Sequence, residues 1–412
     1  MNPPPDRRLM PRPLPAHLLS ATLLWLSSPA GLKSLPVGWT GSNALDAAAA
    51  ARRAALAGEI AQCGPERVAA ALGREVERRA RRFLSGLEAY RRHPYRRAAP
   101  RLPVRWRGGA ARLLDYGARG HGPAVLIVPS LINRYYILDL LPDGSFVRHL
   151  AAAGLRPLVL DWSEPGPAER GLTLGGYITG PLAAALTAAV AANAGRPVAL
   201  VGYCMGGLLA LAAALLRPAD VAAVALLATP WDFHAERQGQ ARLLGSLVEM
   251  LPLLLRDADA VPVSFIQSLF LALDPFLAER KFVRFAGLDP MGAAARGFVA
   301  LEDWINDGVP LARNVAIECG RSWYRDNAPA RGEWRVAGRA MRPETLAVPA
   351  LAVVPSRDRI VPPCSAAPLA AAIRGADVLR PPFGHIGMMA SEKAPAAVWR
   401  PIADWLLSSG AA

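Results

Sequence analysis

The sequence predicts an α/β protein with a mostly parallel, doubly wound sheet and an inserted helical segment. Short runs rich in Val, Leu and Ile alternate with segments of helical length, which is typical of parallel strands buried on both faces. The five candidate parallel strands are residues 124–128, 157–160, 197–201, 221–227 and 350–354. Two earlier segments, 104–106 and 111–116, are expected to form an antiparallel pair that precedes them.

Residues 232–345 interrupt this alternation and contain apolar helical stretches. They are predicted to form a cap inserted into the core, which then consists of residues 104–231 and 346–412. The apolar side chains of such a cap suit either a lipid-like chain or ordinary core packing. Residues 44–103 are expected to form an N-terminal helical segment.

Residues 1–43 are rich in Pro, Ser and Gly and are expected to be a poorly ordered basic and apolar arm. Arg7, Arg8 and Arg12 precede the apolar run 18–26, which has the length and flanks of a signal-peptide core. A signal peptide therefore remains an alternative. The favoured interpretation is an arm that docks on a surface or a partner.

The segment from Pro65 to Tyr90 shows helical periodicity, with apolar residues on one side and arginines mostly on the other. The apolar positions are Val68, Leu72, Val76, Phe83, Leu87 and Tyr90, and the basic ones are Arg74, Arg78, Arg81 and Arg82. Such a helix can lie on an anionic surface, or it can pack on the protein with a solvated basic face. The second interpretation is favoured because packed helices are far commoner.

The formal net charge of +14 is concentrated at the N-terminus, because residues 1–112 hold 20 Lys and Arg against 7 Asp and Glu. No recognised nucleic-acid motif accompanies this charge, and no Walker A or G-x-G-x-x-G loop follows a strand, so no nucleic-acid or nucleotide partner is predicted.

Four scattered cysteines without C-x-x-C spacing indicate a reducing compartment and neither a zinc site nor a disulfide framework. No transmembrane segment, metal or cofactor is predicted.

The most informative segment is Gly202-Tyr203-Cys204-Met205-Gly206-Gly207, which follows an apolar run and precedes an alanine-rich helix. This strand–turn–helix layout is that of the nucleophile elbow of α/β-hydrolases, with cysteine in place of serine. The glycines fit a strained turn in which flanking side chains would collide with the strand or the helix. Cys204 is therefore the predicted nucleophile.

A base and an acid are expected later in the chain, in the order nucleophile, acid, histidine. Asp358 follows the strand 350–354, and His385 lies on a glycine-flanked loop beyond the last strand, so both fall at the carboxyl edge of the sheet. Asp232, after the strand 221–227, remains the reserve acid. The amides of Met205 and of the turn Leu131-Ile132 are expected to form the oxyanion hole, since one donor follows the nucleophile and the other an early strand.

These segments resemble the polyhydroxyalkanoate (poly-3-hydroxybutyrate) synthases of the α/β-hydrolase superfamily. The similar stretches are Gly202–Gly207, Asp358-Arg359-Ile360-Val361-Pro362, Gly384-His385-Ile386-Gly387 and the run from Val128 to Leu140, which contains Asn133-Arg134-Tyr135-Tyr136. Trp304-Ile305-Asn306-Asp307-Gly308 loosely resembles the family's Trp-Asn-x-Asp stretch, and Arg359 stands where many members have His. The chain therefore reads as a divergent member.

The resemblance implies a Cys204–His385–Asp358 triad that polymerises (R)-3-hydroxyacyl-CoA through a cysteine thioester. It implies acyl-CoA as substrate with no other cofactor, a polyester granule surface as partner, and a cytoplasmic or granule-associated location. A homodimer or a second subunit is a further partner considered. The alternatives are a thioesterase or polyester hydrolase with the same triad, and a non-catalytic granule-associated protein.

Overall fold

The computed structural model describes residues 8–34, 47–117, 122–236, 238–254 and 258–409. Within them a central eight-stranded sheet carries the fold. Its strands, in chain order, are β1 (Val104–Gly108), β2 (Ala111–Asp115), β3 (Ala124–Val128), β4 (Arg156–Asp161), β5 (Val198–Tyr203), β6 (Val221–Leu227), β7 (Ala350–Val353) and β8 (Asp377–Leu379).

The strands lie side by side in the order β1-β2-β4-β3-β5-β6-β7-β8. The β1–β2 and β2–β4 pairs are antiparallel, and every later pairing is parallel. The predicted antiparallel leading pair and the mostly parallel sheet are thus confirmed. Strands β3, β5 and β6 are apolar along their length because helices cover both faces of the sheet.

The helices named here are α1 (Leu14–Ser34), α2 (Ala47–Cys63), α3 (Pro65–Arg92), α4 (Phe146–Ala152), α5 (Pro167–Arg170), α6 (Leu174–Tyr177), α7 (Ala183–Ala192), α8 (Met205–Leu216), α9 (Gln238–Val248), α10 (Leu251–Leu254), α11 (Val263–Leu273), α12 (Leu277–Phe285), α13 (Ala293–Asn306), α14 (Arg313–Glu318), α15 (Pro363–Ala372), α16 (Gly387–Ala390) and α17 (Arg400–Ser408). Irregular helical turns cover Ile178–Leu182, which joins α6 to α7, and Cys319–Arg325, which continues α14.

The sheet brings the candidate site residues to one edge. Strands β3, β5, β6, β7 and β8 run parallel, so their carboxyl ends share that edge. The segments that leave these ends contain, in chain order, Leu131, Cys204, Asp232, Asp358 and His385. The topology therefore assembles at one edge five residues that are spread over 255 positions of the chain.

One helical stretch, Leu174–Ala192, is long and apolar enough to cross a membrane, with a mean hydropathy of 1.4. In the described part of the chain it is the one helix that meets this test, although no transmembrane segment is predicted from the sequence. Its Leu182, Leu186 and Ala189 are fully buried in the same core as the strands of the sheet. Such burial is typical of a helix that covers a parallel sheet.

The chain divides into two compact units, of which the first comprises residues up to Tyr95 together with Gln267–Glu302. The second comprises Arg96–Ile266 and Asp303–Ala412 and contains the sheet. The predicted insertion, 232–345, is therefore divided between the two units. Whether any part of it acts as a cap stays a prediction.

The first unit has a core of its own, built mainly from aromatic side chains of α3, α12 and α13. Its buried members are Ala21, Phe83, Leu87, Tyr90, Phe282, Phe285, Ala295 and Val299. The expectation of a poorly ordered arm over residues 1–43 needs correction for the stretch 14–34, which forms α1. That helix buries Ala21 and sets Trp25 edge-on to Phe83, with ring centroids 5.8 Å apart. The parts 1–7 and 35–43 lie outside the described residues.

The acids of α3 neutralise half of the positive charge on its polar face, since the helix holds four Glu against eight Arg. Arg78 pairs with Glu75, Arg81 with Glu77, and Arg91 with Glu88. Arg79 makes a bidentate contact, at 2.8 and 2.7 Å, with Glu279 of α12, whose side chain is buried. These pairings fit the favoured interpretation of a packed helix, since they leave less unpaired positive charge for an anionic surface.

Two glycines of α3 provide a test of this packing. A Cβ at Gly86 would overlap the Phe282 carbonyl, whereas a Cβ at Gly73 would meet nothing within 4 Å. Gly86→Ala should therefore cost about 1–3 kcal/mol of stability through overpacking, while Gly73→Ala should gain a few tenths to about 1 kcal/mol from helix propensity. Thermal unfolding followed by circular dichroism measures both. Equal midpoints for the two variants would contradict the packing of α3 on α12.

Candidate active site

Cys204 sits on a strained turn between β5 and α8. Its backbone angles are φ 57° and ψ −128°, outside the regions that residues with side chains ordinarily adopt. The Cys204 amide donates to the Leu227 carbonyl at 2.8 Å, which ties the turn to the end of β6. This conformation is that of a nucleophile elbow, in which the side chain is held at the carboxyl edge of the sheet.

The glycines of the elbow are required by close backbone approaches. A Cβ at Gly206 would overlap the carbonyl oxygen of Val128, at the end of β3, and a Cβ at Gly202 would overlap Gly207. The elbow is therefore packed directly against the segment that follows β3. A side chain at Gly206 would have to push α8 away from the end of β3, and one at Gly202 would have to push β5 away from α8.

Asp358 and His385 form a buried pair at the same edge. His385 Nδ1 lies 2.7 Å from Asp358 Oδ2, and the two residues are 7% and 4% exposed. The other carboxylate oxygen, Oδ1, accepts from the amides of Ile360 at 2.8 Å and Val361 at 2.9 Å. Both carboxylate oxygens are thus engaged, and the carboxylate orients the imidazole and can stabilise its protonated form.

Burial by itself lowers the pKa of His385, but Cys204 and Asp358 raise it through their charge and through hydrogen bonds. The net effect is a pKa raised to about 10. His385 can therefore hold a proton taken from the Cys204 thiol. Tyr203 stacks on the imidazole, with ring centroids 5.1 Å apart, and donates its hydroxyl to the His385 carbonyl at 3.0 Å. The imidazole is thus held by Tyr203 on one face and by Asp358 at Nδ1.

Asp232, the reserve acid, is engaged elsewhere. Its Oδ1 accepts from Asn327 Nδ2 and from the His234 amide, both at 2.9 Å. Asn327 Oδ1 in turn accepts from the Phe233 amide at 2.9 Å. Asp232 therefore orders the loop after β6 against the segment that follows Cys319–Arg325, while Asp358 is the acid bonded to His385.

The backbone amides predicted to bind the oxyanion differ in whether they already have a hydrogen-bond acceptor. Met205 is the first residue of α8, where backbone amides have no acceptor within the helix. The Ile132 amide donates to Ser130 Oγ at 3.2 Å. Leu131 is therefore the better of the two candidates on that loop, and its pairing with Met205 stays a prediction.

Sequence reasoning missed an aromatic group that packs against the same hydrophobic core as Cys204. Phe233 stacks on Trp323 with centroids 5.6 Å apart and meets Tyr324 edge-on at 5.0 Å. Burial, followed by the charge of Cys204, raises the pKa of the Tyr324 hydroxyl. Phe233, Tyr324 and Cys204 all pack against the same hydrophobic core. No motif marks these residues, because Trp323 and Tyr324 belong to an irregular helical turn more than a hundred positions from the elbow.

Comparison with known proteins gives consistent results. Residues 123–391 match the family model of the alpha/beta hydrolase fold. Among curated proteins, the chain is 30% identical over 294 residues to the poly(3-hydroxyalkanoate) polymerase subunit PhaC of Synechocystis sp., covering 68% of this chain and 77% of that one. It is 29% identical to the subunit of Allochromatium vinosum, covering 68% and 80%. For the Haloferax mediterranei subunit the identity is 30%, covering 71% of this chain and 61% of the relative.

The chain thus spans about three fifths of the length of the Haloferax mediterranei relative and of a second one from Haloarcula marismortui, at 61% and 60%. It spans about four fifths of the subunit from Allochromatium vinosum.

Thiol alkylation tests which acid supports the nucleophile. Cys63 and Cys364 are exposed and Cys319 is buried, so a Cys63→Ser, Cys364→Ser background leaves Cys204 as the reactive thiol to follow. In that background Asp358→Asn should slow carboxamidomethylation of Cys204 by iodoacetamide about tenfold or more, because His385 loses the charge that stabilises its protonated form. Mass spectrometry of the peptide gives the rate. Asp232→Asn is the matched control, and a larger effect from it would reverse the assignment of the acid.

Proposed function

The chain belongs to the poly(3-hydroxyalkanoate) polymerase family on the α/β-hydrolase fold, and we propose that it is an acyltransferase that polymerises (R)-3-hydroxyacyl groups from coenzyme A. The observation that carries this proposal is the placement of Cys204 on the strained elbow at the same sheet edge as His385, whose imidazole is bonded to Asp358 and whose pKa the charge of Cys204 raises. A thiol at this position forms an energy-rich thioester, which a hydroxyl can attack without further activation of the acyl group.

In the first step His385 takes the proton of Cys204, and the sulfur attacks the thioester carbonyl of the acyl-CoA. The carbonyl oxygen becomes an oxyanion that the amides of Met205 and Leu131 stabilise. As the intermediate collapses, the bond between the carbonyl carbon and the coenzyme A sulfur breaks. His385 returns its proton to that sulfur, free coenzyme A leaves, and the acyl group remains on Cys204.

In the second step the 3-hydroxyl of another acyl group attacks the Cys204 thioester. His385 takes the hydroxyl proton while the new ester bond forms, and the bond to the Cys204 sulfur breaks. The proton passes back from His385 to the released sulfur, so the site returns to its starting state. One ester bond is made for each coenzyme A released.

Polymer forms only if the hydroxyl reaches the thioester more often than water does. Phe233, Tyr324 and Cys204 pack against the same hydrophobic core, and this apolar surface disfavours water, which supports transfer over hydrolysis. A thioesterase with the same triad would instead release coenzyme A without polymer. The discrimination between transfer and hydrolysis therefore depends on the walls of the site and not on the triad.

The product of such a reaction is an insoluble polyester, so the proposed location is the surface of a granule in the cytoplasm. Helix α1 supports docking there, because Leu19, Leu23 and Leu26 lie on one side of it and are 59%, 55% and 70% exposed. This apolar stripe fits the proposed hydrophobic arm, now as a helix with one packed and one open face.

Purified protein incubated with 3-hydroxybutyryl-CoA should release coenzyme A and form insoluble polyester. The moles of coenzyme A released should equal the moles of monomer incorporated into the polyester. Cys204→Ala should reduce both by several orders of magnitude, because the covalent step is lost, while Cys204→Ser should keep at most a trace of activity. Coenzyme A is measured with a thiol reagent and polyester by depolymerisation and chromatography.

Three outcomes separate the candidate functions. Coenzyme A release without polyester would identify a thioesterase. Release that survives Cys204→Ala would rule out the triad. A folded chain that releases no coenzyme A from 3-hydroxyacyl-CoA substrates of four to twelve carbons would favour the non-catalytic granule-associated protein.

A further inference from the structure

We propose that Asp307 is a positioning residue that holds the oxyanion loop, defined as residues 129–134, in its catalytic conformation. The inference rests on the proposed acyl transfer at Cys204. It assigns a role to Trp304-Ile305-Asn306-Asp307-Gly308, a segment that the mechanism above leaves without one. Asp307 touches neither the nucleophile nor the base in this role and acts through Arg134 and Tyr136.

Both carboxylate oxygens of Asp307 are used on the segment that leaves β3. Oδ1 lies 2.9 Å from Arg134 Nε, and Oδ2 accepts from the Tyr136 hydroxyl at 2.9 Å. Tyr136 is 8% exposed, so its hydroxyl is bound in a largely water-free setting. One side chain therefore fixes the last residue of the oxyanion loop and the residue two positions beyond it.

Two backbone acceptors of the same loop bind the same segment. Trp304 Nε1 donates to the Arg134 carbonyl at 2.8 Å, and the Val309 amide donates to the Ile132 carbonyl at 3.2 Å. Trp304 is buried, and its indole needs such an acceptor. Residues 304–309 thus contact the loop at three points and Tyr136 at a fourth, all of them beyond Leu131 in the chain.

The other end of the loop is fixed by the elbow. The carbonyls of Val128 and Pro129 lie so close to Gly206 that a Cβ there would overlap the first of them. Trp162 Nε1 donates to the Pro129 carbonyl at 3.0 Å. The Leu131 amide therefore lies between an end held by Gly206 and an end held by Asp307, and its position depends on both.

A shift of the Leu131 amide should affect the transition state more than substrate binding. An oxyanion donor acts only when it lies within hydrogen-bonding distance of the charge that develops on the carbonyl oxygen. Asp307→Asn keeps the shape of the side chain but removes the negative charge that holds Arg134. The loop can then drift by a fraction of an ångström, which weakens stabilisation of the oxyanion while leaving substrate binding nearly unchanged.

Glu164 supplies a matched control. It also pairs with Arg134, at 2.9 Å, but its side chain is 60% exposed, against 38% for Asp307, and it does not bind Tyr136. Glu164→Gln removes the same unit of charge from the same arginine. An exposed pair of this kind contributes little, so this variant should behave as the wild type.

The experiment measures kcat and KM for coenzyme A release from 3-hydroxybutyryl-CoA in the full chain. Asp307→Asn should lower kcat about 10- to 100-fold with KM within about twofold, by comparison with the 100- to 1,000-fold cost of deleting an oxyanion donor outright. Tyr136→Phe, which removes one of the two contacts, should give a smaller loss of kcat. Glu164→Gln should change neither constant by more than about twofold.

Alkylation of Cys204 by iodoacetamide provides the readout that separates positioning from a structural effect. That displacement at a saturated carbon needs the activated thiol but develops no oxyanion. In the Cys63→Ser, Cys364→Ser background, Asp307→Asn should therefore keep the wild-type alkylation rate while acyl transfer falls.

Asp307→Asn with wild-type kcat would overturn the proposal, as would a parallel loss of alkylation, transfer and thermal stability. Loss of transfer alone, with Tyr136→Phe following in the same direction, supports it. A wild-type chain that releases no coenzyme A would overturn the proposed function and this role together. An active wild type with an equally active Asp307→Asn overturns the positioning role alone.

Discussion

The close approach of the elbow to the end of β3 is the constraint on which the site depends. It requires glycine at position 206, because any Cβ there would overlap the Val128 carbonyl. It also brings a strained cysteine, the first amide of α8 and the loop after β3 within a few ångströms of one another. The parallel sheet then delivers Asp358 and His385 to the same edge. The proposed nucleophile, base and oxyanion donors are thus placed by backbone packing before any side-chain interaction is considered.

The partners of each carboxylate decide what it does. Asp358 and Asp232 both follow strands of the parallel sheet and both accept two or more hydrogen bonds. Asp358 faces a buried imidazole, so its charge supports proton transfer. Asp232 faces an amide side chain and a backbone amide, so its charge orders a loop. Asp307 is a third case, in which a half-exposed carboxylate holds an arginine and a tyrosine.

In the N-terminal unit, the hydrophobic pattern predicts helix α3 but not helix α1. The apolar positions of α3 were readable from their helical spacing, and Phe83, Leu87 and Tyr90 are buried as that spacing implies. Residues 14–34 were misread as poorly ordered, because their composition resembles a flexible arm. Their helix is stabilised because Ala21 and Trp25 pack on side chains some sixty positions away. A local sequence pattern does not predict such a long-range contact.

The sequence by itself determined the strands of the sheet, the elbow around Cys204, and the order in which Cys204, Asp358 and His385 follow one another. These features can be predicted from the sequence because each depends on the spacing of apolar residues and glycines that are close together in the chain. Only the tertiary structure decided that Asp358 and not Asp232 meets His385, that the Ile132 amide is already engaged by Ser130, and that Asp307 binds Arg134 and Tyr136. Those pairings join residues up to 173 positions apart, and their distances depend on how the strands and loops pack at one edge of the sheet.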